Sequence, residues 1–183
     1  LEKVFTEIVS RHESLRTTFT SNSEGLPIQV IAPSKPLKLP IVDLKEVPNR
    51  HEELQRLASK EVQKSFDLTK SLLRITLLKL AETEYVLLLT MHHIISDRWS
   101  LGIFVREMKV LYEFLSNKQS TSCTNAGQTP LSELPIQYAD WTVWQQKYLQ
   151  GEVLKAQTNY WKKQLKNLPV LKLPTDRPRP AIA

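Results

Sequence analysis

Disulfide frameworks and membrane-spanning helices are both excluded by what this sequence lacks. It contains one cysteine, Cys123, so no disulfide can form within the chain, and such cysteine usage is typical of an intracellular protein. No apolar run approaches the roughly 20 residues that a membrane helix requires, and the first residues do not follow the pattern of a signal peptide. We therefore expect a cytoplasmic protein with no membrane partner.

Positive charge is in excess but is not concentrated in one place. The chain has 25 Lys and Arg against 19 Asp and Glu, a net charge of +6, and the two signs alternate along the predicted helices. A nucleic-acid-binding surface needs a basic stripe, often with stacking aromatic residues, and the sequence contains none. We interpret the charges as a solvated surface and expect no nucleic-acid partner.

Both ends of the chain predict that it is part of a longer protein. Residues 1–9 form an amphipathic helix that begins without a methionine and without a capping residue. At the other end, Pro174, Pro178 and Pro180 exclude a helix because proline lacks a backbone donor and fixes φ. We expect residues 173–183 to be an extended linker.

Hydrophobic periodicity predicts strands and helices between these ends. Strand patterns cover 15–19, 26–31, 41–44, 72–80 and 85–90, and the first two form a hairpin around the turn at 22–25. Helical patterns cover the start of the chain, a segment capped by Asn49, residues 101–117, and two segments separated by Gly151. Residues 117–133 are polar and predict a surface loop. The resulting fold is a mixed β-sheet flanked by helices, α/β in the loose sense, or α+β.

Two adjacent histidines stand where the strand at 85–90 meets the helix at 101–117. The strand is nearly all apolar, which predicts burial on both faces. On a strand, neighbouring side chains point to opposite faces, so we expect one of His92 and His93 to be structural and the other to act as an acid–base group. Asp97 follows in the loop, where it could orient an imidazole, cap the helix or pair with a buried arginine.

Other interpretations of these residues are weaker. A zinc site is disfavoured because adjacent strand histidines diverge and no third histidine or cysteine lies nearby in the sequence. A serine-type triad with Ser96 or Ser100 is disfavoured because the glycines of a nucleophile elbow are missing. Two satisfied, purely structural histidines stay open. Considered apart from the histidine motif, Arg11 and Arg16 are interpreted as surface residues. The helical spacing of three tryptophans predicts core positions: Trp141, Trp144 and Trp161.

Four stretches together resemble the condensation domain of nonribosomal peptide synthetases. Residues 11–19 are similar to its arginine-containing motif, and residues 92–100 to its HHxxxDG motif, which is shared with acyltransferases of the chloramphenicol acetyltransferase type. Residues 138–145 and 173–180 are similar to its fourth and fifth motifs. All four occur in the order of the family.

The resemblance implies a chloramphenicol acetyltransferase-like fold with two lobes, of which residues 1–172 form the N-terminal lobe and a C-terminal lobe is missing. It also implies amide bond formation between a donor acyl or peptidyl thioester and an acceptor aminoacyl thioester. Both are carried on phosphopantetheine by upstream and downstream carrier domains, beside an adenylation domain. No cofactor or metal is expected to bind directly, and this chain alone is expected to be inactive.

The resemblance also implies roles for the individual residues at the matching positions. His93 takes the place of the catalytic histidine and His92 a structural place. Asp97 takes the place of a buried ion-pair partner, with Arg11 as first and Arg16 as second choice. Trp144 matches the aromatic residue of the fourth motif.

Arg98 stands where the family motif has glycine, so we expect strain in the loop or obstruction of the substrate tunnel. Two alternatives therefore stay open, a carrier-binding module without chemistry and a stand-alone acyltransferase that uses coenzyme A.

Overall fold

A three-stranded sheet carries the candidate site, and its central strand is the most buried. The computed structural model describes residues 1–118 and 129–169, with residues 174, 176 and 177. They fall into two compact units, residues 1–140 and residues 141–183. The predicted linker at 173–183 lies almost wholly outside the described residues, as does most of the polar segment at 117–133.

Within these ranges, six elements precede the sheet's two long strands and three helices follow them. In chain order the elements are α1 (Glu2–Arg11), a 3₁₀ turn (Glu13–Arg16), β1 (Thr17–Ser21), β2 (Pro27–Ile31), β3 (Ile41–Asp43), α2 (Arg50–Gln63), β4 (Leu73–Lys79), β5 (Tyr85–Met91), α3 (Arg98–Lys118), α4 (Tyr138–Tyr148) and α5 (Gly151–Gln164).

The strands form two separate sheets. β1 and β2 make an antiparallel hairpin in which Thr17 pairs with Ile31. In the second sheet β4 is central, parallel to β3 and antiparallel to β5, with Leu73 opposite Met91. The mixed sheet and flanking helices agree with the predicted fold class. The first predicted strand begins two residues later than expected, because the 3₁₀ turn occupies residues 13–16.

The core of the first unit lies between the sheet and the helices α1 and α3. Phe5 on α1 and Phe104 on α3 stack with ring centroids 6.2 Å apart, and both are buried. Their apolar neighbours come from α1, β4 and α3: Val4, Ile8, Leu73, Ile75 and Leu111. This packing fixes the direction in which α3 leaves the end of β5.

Three expectations from the sequence are wrong in detail. β5 is half-buried rather than buried on both faces, because among the described strands it pairs only with β4 and forms an edge of the sheet. Asn49 precedes α2 with φ of 55°, and its side chain makes no capping hydrogen bond. The tryptophans are not core residues, since Trp141, Trp144 and Trp161 keep 37%, 54% and 55% of their surface exposed.

A second buried cluster under the sheet gives a test of the packing. Leu78 on β4 is 1% exposed and packs with Leu44 and Leu80. Replacing Leu78 by alanine should lower the free energy of unfolding by about 3 kcal/mol, since it removes buried methyl groups and leaves a cavity. Ile41→Ala, at a 62% exposed position on β3, should change it far less. Equal losses in chemical denaturation of the two variants would contradict this core assignment.

Candidate active site

The candidate site is the loop of residues 92–97 that joins β5 to α3. β5 ends at Met91, and the N–H of His92 donates to the carbonyl of Leu72 at 3.0 Å. The chain then turns, with the Ile95 N–H donating to the His92 carbonyl at 3.1 Å. A turn, rather than strand alternation, therefore separates the two histidine side chains.

His92 is half-buried and held by two contacts. Its ring meets the edge of Phe66 with centroids 5.6 Å apart. Its Nδ1 accepts a hydrogen bond from the N–H of Ile94 at 3.0 Å, which leaves the proton of a neutral ring on Nε2. The Phe66 contact ties the start of the loop to the segment between α2 and β4, and the hydrogen bond from Ile94 holds the ring within the loop.

His93 is exposed and lines two adjoining concavities. One has a volume of about 470 Å³ and is walled by the hairpin, the 3₁₀ turn and the start of α4; its polar lining side chains include Glu13, Ser14, Thr17, Gln29 and Tyr138. The other is an open groove of about 750 Å³ along the first turns of α3. Three residues line both: His93, Asp97 and Trp99, the last 82% exposed. A group at His93 is thus accessible from two directions.

Asp97 caps α3 and is not a buried ion-pair partner. Its Oδ1 accepts from the N–H of Ser100 at 2.8 Å, and the Ser100 hydroxyl accepts from the Asp97 N–H at 2.7 Å. This reciprocal pairing satisfies two backbone donors at the helix start. The hydrogen bonds from Ser100 lower the pKa of Asp97, as does, to a smaller extent, the charge of His93. The expected pairing with Arg11 or Arg16 is wrong, because both arginines have other acceptors.

Arg11 binds Glu107 instead. Its Nε lies 3.2 Å from Oε1 of Glu107, and Nε2 of His12 lies 2.6 Å from the other carboxylate oxygen. Glu107 is 7% exposed. The side-chain amide of Gln137 donates to the Arg11 carbonyl at 2.9 Å and accepts from the Glu13 N–H at 3.2 Å. This network joins the end of α1, the middle of α3 and the start of α4.

Arg16, the second choice, also turns away from Asp97. It donates to Glu13 at 3.2 Å and to the carbonyl of Ala32 at 2.5 Å. Its Nε is buried, and in the described residues no acceptor reaches it. Arg16 therefore links the 3₁₀ turn to the chain just beyond β2, which forms one wall of the smaller concavity.

Arg98 is the first residue of α3 and lines the groove beside His93. Within the described chain, positive φ at non-glycine residues occurs only at Asn49 and Asn167. The expected backbone strain at Arg98 is therefore wrong, because a helical residue needs no glycine. Trp144 belongs to the second unit, where it stacks on Tyr148 at 5.0 Å.

No metal centre is evident in the ranges that the structure describes, since no three His, Cys, Asp or Glu side chains there come together. In the same ranges, none of the helices is long and apolar enough to cross a membrane.

Glu107 is the main residue that the sequence reasoning missed. It lies between Phe104 and Leu111 on the apolar face of α3, at the i+3 position of a buried stripe. A carboxylate in such a stripe must be paired, because an isolated buried charge is strongly unfavourable. The place of Glu107 within this apolar stripe is therefore the sequence feature from which a buried, paired carboxylate could have been predicted. Gln137, Gln29 and Phe66 carried no comparable signal, since their partners are distant in sequence.

Glu107→Gln should lower the free energy of unfolding by about 3 kcal/mol, because it leaves the Arg11 guanidinium and the His12 ring in a mostly buried place without the opposing negative charge. The measurement is urea unfolding followed by circular dichroism. Glu53→Gln on α2 is the matched control, since Glu53 forms an exposed pair with Arg56 and surface pairs contribute little. An unchanged midpoint for Glu107→Gln would refute the buried network.

Asp97→Asn should fold nearly as well as the wild type, because asparagine is as good a helix cap as aspartate, whereas Asp97→Ala should lower the melting temperature. The lowered pKa gives a second readout. A depressed carboxyl pKa stabilises the fold above the ordinary aspartate value of about 3.9 and loses that contribution as pH falls further. The difference in melting temperature between wild type and Asp97→Asn should therefore shrink below pH 4. A large drop in the melting temperature of Asp97→Asn at neutral pH would contradict the capping role and support a buried ion pair.

Known proteins match this chain over nearly its whole length. The family model described as the condensation domain matches residues 1–182. The chain is 46% identical over 99% of its length to a component of linear gramicidin synthase from Brevibacillus parabrevis, and 40% identical over 100% to surfactin synthase subunit 1 of Bacillus subtilis strain 168. It spans 3% and 4% of those proteins.

Solved structures give the same result. The X-domain in its complex with OxyB from teicoplanin biosynthesis is 31% identical, with a TM-score of 0.78 over 99% of this chain and 38% of the solved one. The starter condensation domain of rhizomide synthetase shares the fold, with a TM-score of 0.77 at 20% identity over 92% of this chain and 39% of its own. The chain belongs to the condensation-domain family of nonribosomal peptide synthetases.

Proposed function

We propose that this chain supplies the histidine-bearing lobe of a condensation domain that forms amide bonds between two carrier-tethered thioesters. The acceptor amine attacks the donor thioester carbon, so a C–N bond forms, the C–S bond breaks and the donor thiol leaves. The observation that supports this function best is the position of His93, where two concavities meet. A reaction of two tethered substrates needs one acid–base group that both can reach.

In this proposal His93 accepts the proton that the amine loses on attack, or holds the amine by a hydrogen bond as the tetrahedral intermediate forms. Proton transfer by a positioned group typically contributes 10²–10⁴-fold to the rate. Neither nitrogen of His93 has a hydrogen-bond partner in the described residues, so the ring is available to substrate. His92 and Asp97 act indirectly, since one anchors the start of the loop and the other caps the helix at its end.

The partners follow from the same proposal. Phosphopantetheine arms deliver both substrates from upstream and downstream carrier domains, an adenylation domain loads them, and the assembly works in the cytoplasm. The chain covers 38% of the solved X-domain, and we infer that a second lobe supplies the facing wall of the site. Residues 1–172 are the first lobe and residues 173–183 lead to the second. The isolated chain should then be inactive.

One residue favours a second candidate, a carrier-binding module without chemistry. Arg98 brings a long cation to the groove beside His93, where the family motif has glycine. If this side chain kept the donor thioester from the histidine, binding would persist without amide formation. Amide formation by the complete domain distinguishes the two candidates, because only the condensation enzyme would form the product.

His93→Ala in the complete domain should reduce single-turnover amide formation at least 100-fold with little change in melting temperature, because the side chain is exposed. His92→Ala should mainly lower the melting temperature, because it removes the contact with Phe66. Both carriers are preloaded and the product is followed by mass spectrometry. Full activity of His93→Ala would contradict the acid–base role. Absence of product from the wild-type domain would favour the carrier-binding module without chemistry.

A further inference from the structure

A guanidinium on β4 lies near the start of the loop that carries the two histidines. Arg74 is the second residue of β4 and pairs with Thr90 of β5, two residues before His92. Strand alternation puts it on the face opposite Leu73 and Ile75, which are buried in the core. Its own side chain is 19% exposed and reaches the end of α2.

Arg74 holds the end of α2 with all three of its side-chain nitrogens. Its Nε forms an ion pair with the carboxylate of Glu61. Its Nη2 donates to the carbonyls of Glu61 and Lys64 at 3.2 and 2.8 Å, and its Nη1 donates to the carbonyl of Ser65 at 3.3 Å. The last carbonyls of a helix have no partner within it, and the helix dipole favours a cation at this end. Arg74 therefore fixes the chain from the last turn of α2 to the residue before Phe66.

Phe66 lies between this guanidinium and the imidazole of His92. The Cζ atom of Arg74 is 3.7 Å from the centroid of the Phe66 ring, within the range of a cation–π contact. The same ring meets the His92 imidazole with centroids 5.6 Å apart and planes at 89°, an edge-to-face arrangement that aromatic pairs favour. These three side chains form a continuous stack, the support stack.

The backbone of His93 is held on both sides, and the ring of His92 supplies one of the two restraints. The peptide before His93 carries the His92 carbonyl. That carbonyl accepts from the N–H of Ile95 at 3.1 Å and from the hydroxyl of Ser96 at 3.2 Å. The peptide after His93 carries the N–H of Ile94, which donates to Nδ1 of His92 at 3.0 Å. Because peptide groups are planar, these bonds set the direction in which the His93 imidazole leaves the chain.

We propose that Arg74 is a positioning residue for amide formation, which aligns His93 through the support stack and the peptide that follows His93. The inference rests on the proposed function. No member of the support stack lines either concavity that His93 lines, so Arg74 acts without touching substrate. Its loss should leave substrate binding intact and reduce the fraction of time for which the imidazole is aligned.

The kinetics of the complete domain test this role. Arg74→Met removes the charge and the donors, so kcat should fall about fivefold, less than the 10²-fold that a misplacement of about 1 Å can cost, with KM for both carriers changed by less than about twofold. Arg74→Lys keeps a charge near Phe66 and should lose less of the rate. Leu78→Ala is the matched control, because Leu78 lies on the same face of β4 but packs in a separate cluster. It should lower stability without changing kcat.

Phe66→Leu tests whether the effect passes through the stack. It should cause a similar loss in kcat, and the double variant with Arg74→Met should lose no more than either single variant, because both changes interrupt the same contacts. An unchanged kcat in Phe66→Leu, a loss that appears in KM, or losses that multiply in the double variant would overturn the proposal. Phe66→Leu also decides the matter if Arg74→Met fails to fold.

The ring of His92 gives a readout that does not depend on activity. In the complete domain with 15N-labelled histidine and isoleucine, the neutral His92 ring should carry its proton on Nε2, because Nδ1 is an acceptor. Arg74→Met should populate the second tautomer and shift the amide signal of Ile94, whereas Leu78→Ala should change neither. Unchanged signals in Arg74→Met would contradict the link between Arg74 and the loop.

The dependence of the rate on His93 separates this inference from the proposed function. Product that depends on His93 but not on Arg74 would refute the positioning role and leave the proposed function intact. Absence of His93-dependent product from the wild-type domain would refute the proposed function and, with it, any role of Arg74 in the reaction.

Discussion

The buried carboxylate of Glu107 is the constraint on which the geometry of this site depends. A carboxylate that is 7% exposed must have partners, and the structure provides Arg11 and His12 from the end of α1. The same segment is held by Gln137 at the start of α4. Because α3 is fixed against α1 at this point and at the Phe5–Phe104 stack, its N-terminus has one position relative to β5.

That position decides how the loop that carries the two histidines is built. The loop between Met91 and Arg98 is short, and both ends are fixed, one by the backbone hydrogen bond to Leu72 and the other by the Asp97–Ser100 cap. His92 fills the inner side of the turn against Phe66, which leaves the outer side to His93. The division of the two histidines therefore arises from a turn between two anchored ends.

Much of this could be predicted from local sequence. The ends of α1, the hairpin, β4 and the break at Gly151 followed from periodicity and turn residues, because those signals act within one element. The partner of Arg11 could not, because it depends on which residues of α1 and α3 face each other across 96 positions. The motif suggested Asp97 as the acceptor, whereas the amphipathic stripe of α3 marks Glu107 as a buried carboxylate that needs a partner without identifying that partner.

The tryptophans show that the burial of a helix face could not be predicted from the sequence either. Helical spacing identifies a residue's face but not what covers it, and Trp144 and Trp161 lie on faces that stay about half exposed in their unit. β5 is similar, since an apolar strand at the edge of a sheet is only half-buried until a further strand or lobe packs on it.

The effect of Arg98 depends on the backbone conformation at that position, which the sequence motif alone does not give. A glycine in a loop motif suggests a positive φ, and a cation there suggests damage. At the first residue of a helix neither inference holds, because any residue adopts that conformation and the side chain lines the groove beside His93. A cation placed there changes the charge of the surface next to His93 without changing the path of the chain. Its consequence is therefore electrostatic, and it must be sought in the ligands that the groove admits.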